Sequence, residues 1–177
     1  MKRTGAVLVA LLLLLLAVTP TAAAGPKGTD RPFKGSATGE ATFLLDNPLG
    51  CPGEPAGGFG ITTATDATGN ASHLGRMSLA ADHCPLLAGG IIDGTMVFVA
   101  ANGDELHTTY AGEASLLSLN IGDPIYVTVN MTVDPAASTG RFAGAEGEIV
   151  LHAELVFEGI GDPAWPWVAS WTGTLSY

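Results

Sequence analysis

The last third of the chain alternates apolar and polar residues with a period of two. Ile125, Val127, Val129, Met131 and Val133 interleave with Tyr126, Thr128, Asn130, Thr132 and Asp134. Ile149, Leu151, Ala153, Leu155 and Phe157 interleave with Val150, His152, Glu154, Val156 and Glu158. Trp167, Ala169, Trp171, Gly173, Leu175 and Tyr177 interleave with Val168, Ser170, Thr172, Thr174 and Ser176. A strand turns successive side chains to opposite faces, so each run buries one face and wets the other. Three such runs imply an antiparallel sheet or barrel.

Shorter stretches upstream repeat the pattern. Strand one is expected over Gly35 to Leu45, with Ala37, Gly39, Ala41, Phe43 and Leu45 on one face. Strand two is expected near Phe59 to Thr65, a turn at Asp66 to Asn70, and strand three near Ser72 to Ala81. Asp82 to Gly90 reads as a loop. Strand four covers Ile91 to Ala101; its Met96-Val97-Phe98-Val99 is apolar on both faces, which implies an outer cover or a face-swapping bulge. Asn102-Gly103 is a strong hairpin signal, because both central residues of a type I′ turn need positive φ. Strand five follows over Glu105 to Gly112, with Leu106, Thr108 and Tyr110 inward, and strand six over Ile125 to Val133. Strand seven is expected from Arg141 to Phe157, bent at Gly144 and Gly147. The run from Trp167 is strand eight.

No stretch beyond residue 24 carries apolar residues at helical spacing over three turns. The 24 glycines and 11 prolines punctuate the chain at strand-length intervals. The fold class is therefore all-β. An eight-stranded antiparallel β-barrel is the simplest solution, since closure removes exposed edges, and a β-sandwich is the runner-up.

Residues 1–24 read as a cleaved signal peptide. Lys2 and Arg3 precede an apolar stretch from Ala6 to Val18, Pro20 breaks it, and Ala22-Ala23-Ala24 offers a cleavage site. Residues 25–34 read as a flexible lead-in and 35–177 as a single barrel domain. The expected location is secreted or extracytoplasmic, without membrane insertion. The net charge of −10 becomes two units more negative once Lys2 and Arg3 leave, which repels nucleic acid and anionic lipid. Cys51 and Cys84 are an even pair in an exported chain, and a disulfide follows from compartment and spacing. The rival reading is a metal site of His83 and Cys84 with His73, disfavoured by the adjacency of two ligands.

Three phrases occur in order: Asn70-Ala71-Ser72-His73-Leu74-Gly75-Arg76, then Ala101-Asn102-Gly103-Asp104-Glu105-Leu106, then Thr139-Gly140-Arg141-Phe142-Ala143-Gly144-Ala145-Glu146-Gly147. Together they resemble secreted bacterial proteins with an allene oxide cyclase barrel-like domain, a calycin-type β-barrel. The resemblance spans roughly His73 to Tyr177. It implies the barrel, and an apolar cavity in which the plant enzymes cyclise a fatty-acid epoxide using acidic and amide residues. Glu40 is the nearest counterpart by location, on the Ser/Thr face of strand one. In the third phrase Gly140, Arg141, Phe142 and Gly144 read as a barrel-rim motif: glycines bend the chain, Phe142 plugs a mouth, and Arg141 pairs with carbonyls or a carboxylate.

No nucleophile elbow, zinc-binding pair or calcium loop appears, so no catalytic residue, metal or cofactor is assigned. Candidate cavity-lining residues are Phe43, Tyr110, Val127, Val129, Leu151, Leu155, Trp167 and Trp171. The expected function is a secreted, non-catalytic barrel that binds a small apolar ligand or serves as a stable extracellular module. A surface interaction or carbohydrate-binding module with an exposed Trp165 is the first alternative. A cyclase or isomerase acting on an apolar substrate in the cavity is the second.

Overall fold

A computed structural model of the chain describes residues 28–44, 51, 60–63, 67–86, 89–115, 120–159 and 164–177. The expected signal peptide lies outside them. Nine strands follow in order: β1 (Arg31–Leu44), β2 (Gly60–Thr63), β3 (Ala67–Ala71), β4 (Gly75–Pro85), β5 (Gly90–Ala100), β6 (Glu105–Ser115), β7 (Pro124–Val133), β8 (Glu146–Val156) and β9 (Trp165–Ser176). Every pairing is antiparallel, and β1 pairs with β9 from Arg31↔Leu175 to Ala41↔Trp165. The sheet is thereby closed. β2 and β3 each lie between β1 and β4, so they are two pieces of one interrupted strand. The molecule is an eight-stranded antiparallel barrel.

The alternation read from the sequence sets the inward face. Ile125, Val129, Met131 and Val133 of β7 are buried, as are Ile149, Leu151 and Leu155 of β8 and Trp165, Trp167, Trp171 and Leu175 of β9. Their neighbours Thr128, Asn130, Thr132, His152, Ser170 and Thr172 face water. This polar exterior is the inverse of the apolar band that a lipid-facing barrel carries.

The two ends of the barrel are packed differently. At the end where β1 begins and β9 finishes, the interior is filled with rings. Phe33 meets Phe98 edge-on at 6.0 Å between centroids, and Phe98 meets Trp171 at 5.2 Å. Phe142 lies 5.3 Å from Tyr177. At the other end the inner face mixes Ala41, Ala81, Ala153 and Ala169 with larger side chains and is left partly open.

Several boundaries differ from the sequence reading, each for a physical reason. Residues 31–34 are not a lead-in but the start of β1: β9 is long enough to pair with them, and Phe33 is fully buried. Of the turn expected at Asp66 to Asn70, Asp66 lies outside the described residues, and Ala67 to Asn70 belong to strand β3. Gly69 lies in it because β1 passes so close that a β-carbon would strike the Ser36 carbonyl and Ala37. The reversal comes at Ser72 to Leu74 instead, with His73 at φ 68° and Gly75 at φ 69°. Asp82 to Pro85 continues β4 rather than forming a loop. The face swap of β5 sits at a bulge between Ile91 and Gly94, where Asp93 has φ 51°, not at Met96 to Val99. Arg141 lies on a 3-10 turn, Gly140–Phe142, and β8 begins only at Glu146.

Candidate functional site

The small residues at one end leave a cavity of about 290 Å³ inside the barrel. Phe43, Tyr110, Val127, Val129, Leu151, Leu155 and Trp167 line it, together with Ile91, Met96, Ile125 and Phe157. Trp171, also assigned to the lining, sits instead among the rings of the filled end, where it is 2 % exposed. It lies one turn of the pleat too far along β9.

Trp165 closes the lining beside Phe43, with the rings stacked 5.4 Å apart and 10° from parallel. Its indole N–H donates to the Gly159 carbonyl at 3.0 Å, and the residue is 5 % exposed. The exposed ring that surface stacking on a sugar requires is therefore not at Trp165. β9 begins two residues earlier than the alternation suggested, which carries Trp165 inward.

Two polar side chains enter this apolar space. His83 projects from β4 and Tyr110 from β6, with β5 between them. His83 Nδ1 and Tyr110 Oη are 2.8 Å apart. Tyr110 reaches across because Gly94, its register partner on β5, has no side chain: a β-carbon there would collide with the Tyr110 ring. Both flanking ladders shift register at this point, between Asp82 and Cys84 and between Ile91 and Gly94. Bulges of this kind re-aim side chains beside functional sites.

Burial pushes the His83 imidazole down to about 4, so it is neutral at physiological pH. Burial, reinforced by the negative charge of Asp82, holds the Tyr110 phenol well above its usual value. The pair is thus uncharged on both sides. A neutral imidazole and a phenol share one proton in their mutual bond and keep one donor and one acceptor free, whichever tautomer is present. The Nε1 of Trp167 is buried without a hydrogen-bond partner among the described residues.

Among the described residues that line the cavity, none bears a carboxylate. Glu40 is exposed on the outer face of β1, away from the cavity. Neither His83 nor the Tyr110–His83 contact was singled out from the sequence for the interior. The signal was available: Met77, Leu79 and Ala81 are buried with a period of two, and His83 is the next in phase.

Cys84, beside His83, is bridged to Cys51, with Cα atoms 5.4 Å apart. The disulfide ties residue 51 to the cavity end of β4 and is compatible with an extracytoplasmic location. It also removes the metal alternative, because Cys84 is spent and His73 sits at the opposite end of β4, bonded to the Pro32 carbonyl at 3.0 Å. At that opposite end, Arg141 Nε lies 2.9 Å from Asp104 Oδ2, and its Nη2 donates to Asn102 Oδ1 at 3.3 Å. The hairpin phrase and the glycine-rich phrase therefore meet at the filled end. Phe142 is fully buried there, while Gly140 leaves room for the Asp104 carboxylate.

Among the described residues no helix is long and apolar enough to cross a membrane, and no group of three or more metal-ligating side chains gathers. Comparison with family models, with curated proteins and with solved structures returned no match for this chain.

Proposed function

We propose that this chain is an exported, non-catalytic β-barrel that holds one small apolar ligand in its half-filled interior. The observation that carries the reading is the cavity of about 290 Å³ with a nearly continuous apolar wall. A cavity of about 150 Å³ suffices for benzene, so this one suits a molecule of about twelve heavy atoms. Ala41, Ala81, Ala153 and Ala169 leave the space open between the larger lining side chains, among them Phe43, Trp165 and Trp167.

Export is supported by the leader-like residues 1–24 and by the disulfide. The acidic composition argues against nucleic acid as a partner, and the polar outer wall against insertion into lipid. The likeness to the allene oxide cyclase barrel-like family agrees with a ligand-holding barrel. Cyclisation by an acidic residue is not favoured, because none of the described lining residues bears a carboxylate.

Trp165 and Trp167 line the cavity and make occupancy readable by fluorescence. Titration with apolar molecules of about twelve heavy atoms is expected to shift the tryptophan emission saturably, with one site per chain. Native mass spectrometry of the same samples checks the stoichiometry. Absence of any saturable shift across alkanes, ketones and aromatics of that size overturns the reading.

A further inference from the structure

We infer that the His83–Tyr110 pair is the polar anchor of the cavity and selects an uncharged apolar molecule bearing one hydrogen-bonding oxygen, a ketone or alcohol, over both a pure hydrocarbon and a carboxylate. This rests on the cavity being a ligand site and specifies what enters it.

The placement of the pair carries the argument. A barrel interior needs no polar group for packing, and the wall around this pair is otherwise alanine, valine, leucine and aromatic carbon. Yet the wall is adjusted to bring the two side chains together. β5 carries an extra residue before Gly94 that shifts its register against both β4 and β6, and β6 supplies a ring that lies over that glycine. Buried polar groups cost free energy unless paired, and the 2.8 Å bond satisfies only one of the two polar positions on each side chain that face one another. One donor and one acceptor remain in either tautomer. A carbonyl oxygen accepts from the donor, and a hydroxyl uses both positions.

A carboxylate is disfavoured by the same geometry. None of the described lining residues is lysine or arginine, the imidazole is held neutral by its burial, and Asp82 next to it adds negative potential. An ionised group would enter without a counter-charge, which is costly in an apolar interior. A hydrocarbon fits the wall but leaves the donor and acceptor unanswered.

The test uses three probes with one carbon skeleton: methyl nonyl ketone, undecane and undecanoate, titrated at neutral pH into the disulfide-bonded protein. The ketone is expected to bind about three- to tenfold more tightly than undecane, the gain from one net hydrogen bond, and undecanoate more weakly than either. In Tyr110→Phe, which keeps the ring over Gly94, the ketone's advantage is expected to fall to within about twofold while undecane binding is retained. Nitrogen NMR of the His83 imidazole in the unaltered protein gives a readout independent of that variant's folding. Its resonance is expected to move with the ketone and not with undecane. Equal affinity for ketone and undecane, or tightest binding by undecanoate, overturns the anchor while leaving the cavity a ligand site. Binding of none of the three overturns the ligand reading and the anchor together.

Discussion

The Tyr110 ring lies over Gly94, its register partner on the adjacent strand, in the space that a side chain at 94 would fill. The same relation recurs twice on β1. The Trp171 ring crosses Gly35, and the Trp167 ring crosses Gly39. Each inward glycine thus lets an aromatic side chain lie along the wall instead of standing across the lumen. At Gly94 the consequence is chemical, because it brings the phenol to His83.

Gly94→Ala therefore tests the origin of the polar pair. The new methyl group would meet Tyr110 Cζ at 2.6 Å, closer than carbon atoms tolerate, so the ring must swing away. A loss of about 1–3 kcal/mol is expected in urea unfolding, typical of overpacking. The His83 ring signals, which report the phenol 2.8 Å away, should change in the same variant.

The pH dependence of stability follows from His83. Its imidazole has a pKa of about 4 in the folded chain against 6.5 when free. Between those values the unfolded state binds more protons, so stability is full above about pH 6.5 and falls as pH drops toward about 4. The loss attributable to this residue is on the order of 3 kcal/mol. Asp82 acts in the opposite direction, because burial raises its pKa and the folded state takes up its proton first. Unfolding midpoints at about pH 7 and pH 4.5 should converge in His83→Gln relative to the unaltered chain.

The Cys51–Cys84 bridge closes a loop spanning 33 residues. Restricting the unfolded chain over that length contributes about 2–4 kcal/mol. The double variant Cys51→Ala/Cys84→Ala is expected to lose that amount in urea unfolding. It should also weaken probe binding, since Cys84 adjoins His83 on β4. Unchanged stability would mean that the loop is already constrained without the bridge.

The barrel was legible because its rule is local. Val129, Leu151 and Leu175 declare their inward direction through the polarity of their immediate neighbours, and no long-range information is needed. The disulfide was legible for a different reason, the compartment implied by the leader. The polar pair was not. His83 continues the inward phase of β4, but Pro85 and Gly90 nearby made its segment look like a loop, and the extra residue in β5 that sets Gly94 opposite Tyr110 breaks that strand's period of two. Gly69 misled in the reverse sense. Its glycine answers to the close passage of β1, a contact with residues more than thirty positions away. Trp171 was assigned to the cavity because alternation gives the face of a residue but not its depth along the barrel axis.

The rim phrases separate into a core residue and a surface contact. Phe142 is fully buried against Tyr177, so Phe142→Ala is expected to cost about 3–5 kcal/mol. Arg141 is substantially exposed, and its ion pair with Asp104 is screened by water, so Arg141→Ala should leave the urea midpoint nearly unchanged. Neither variant should alter probe binding, because both lie at the filled end. Equal destabilisation by the two would assign the arginine a structural weight that its exposure does not suggest.

Filling the cavity distinguishes a binding barrel from a barrel that is merely loosely packed. Ala153 lines the void on β8, between Val127 of β7 and Ala169 of β9 in register. Ala153→Leu adds three carbons to a space of about 290 Å³, which accommodates them without displacing the wall. New apolar burial contributes about 0.8 kcal/mol per methylene, so the thermal midpoint should rise or hold. Ligand affinity should fall at least about tenfold, because the added side chain occupies volume that the probe needs. A natural barrel that forgoes this easy gain in stability keeps the space for an occupant. If Ala153→Leu is more stable and binds every probe as well as the unaltered chain, the probes sit elsewhere, and the alanines at this end reflect loose packing.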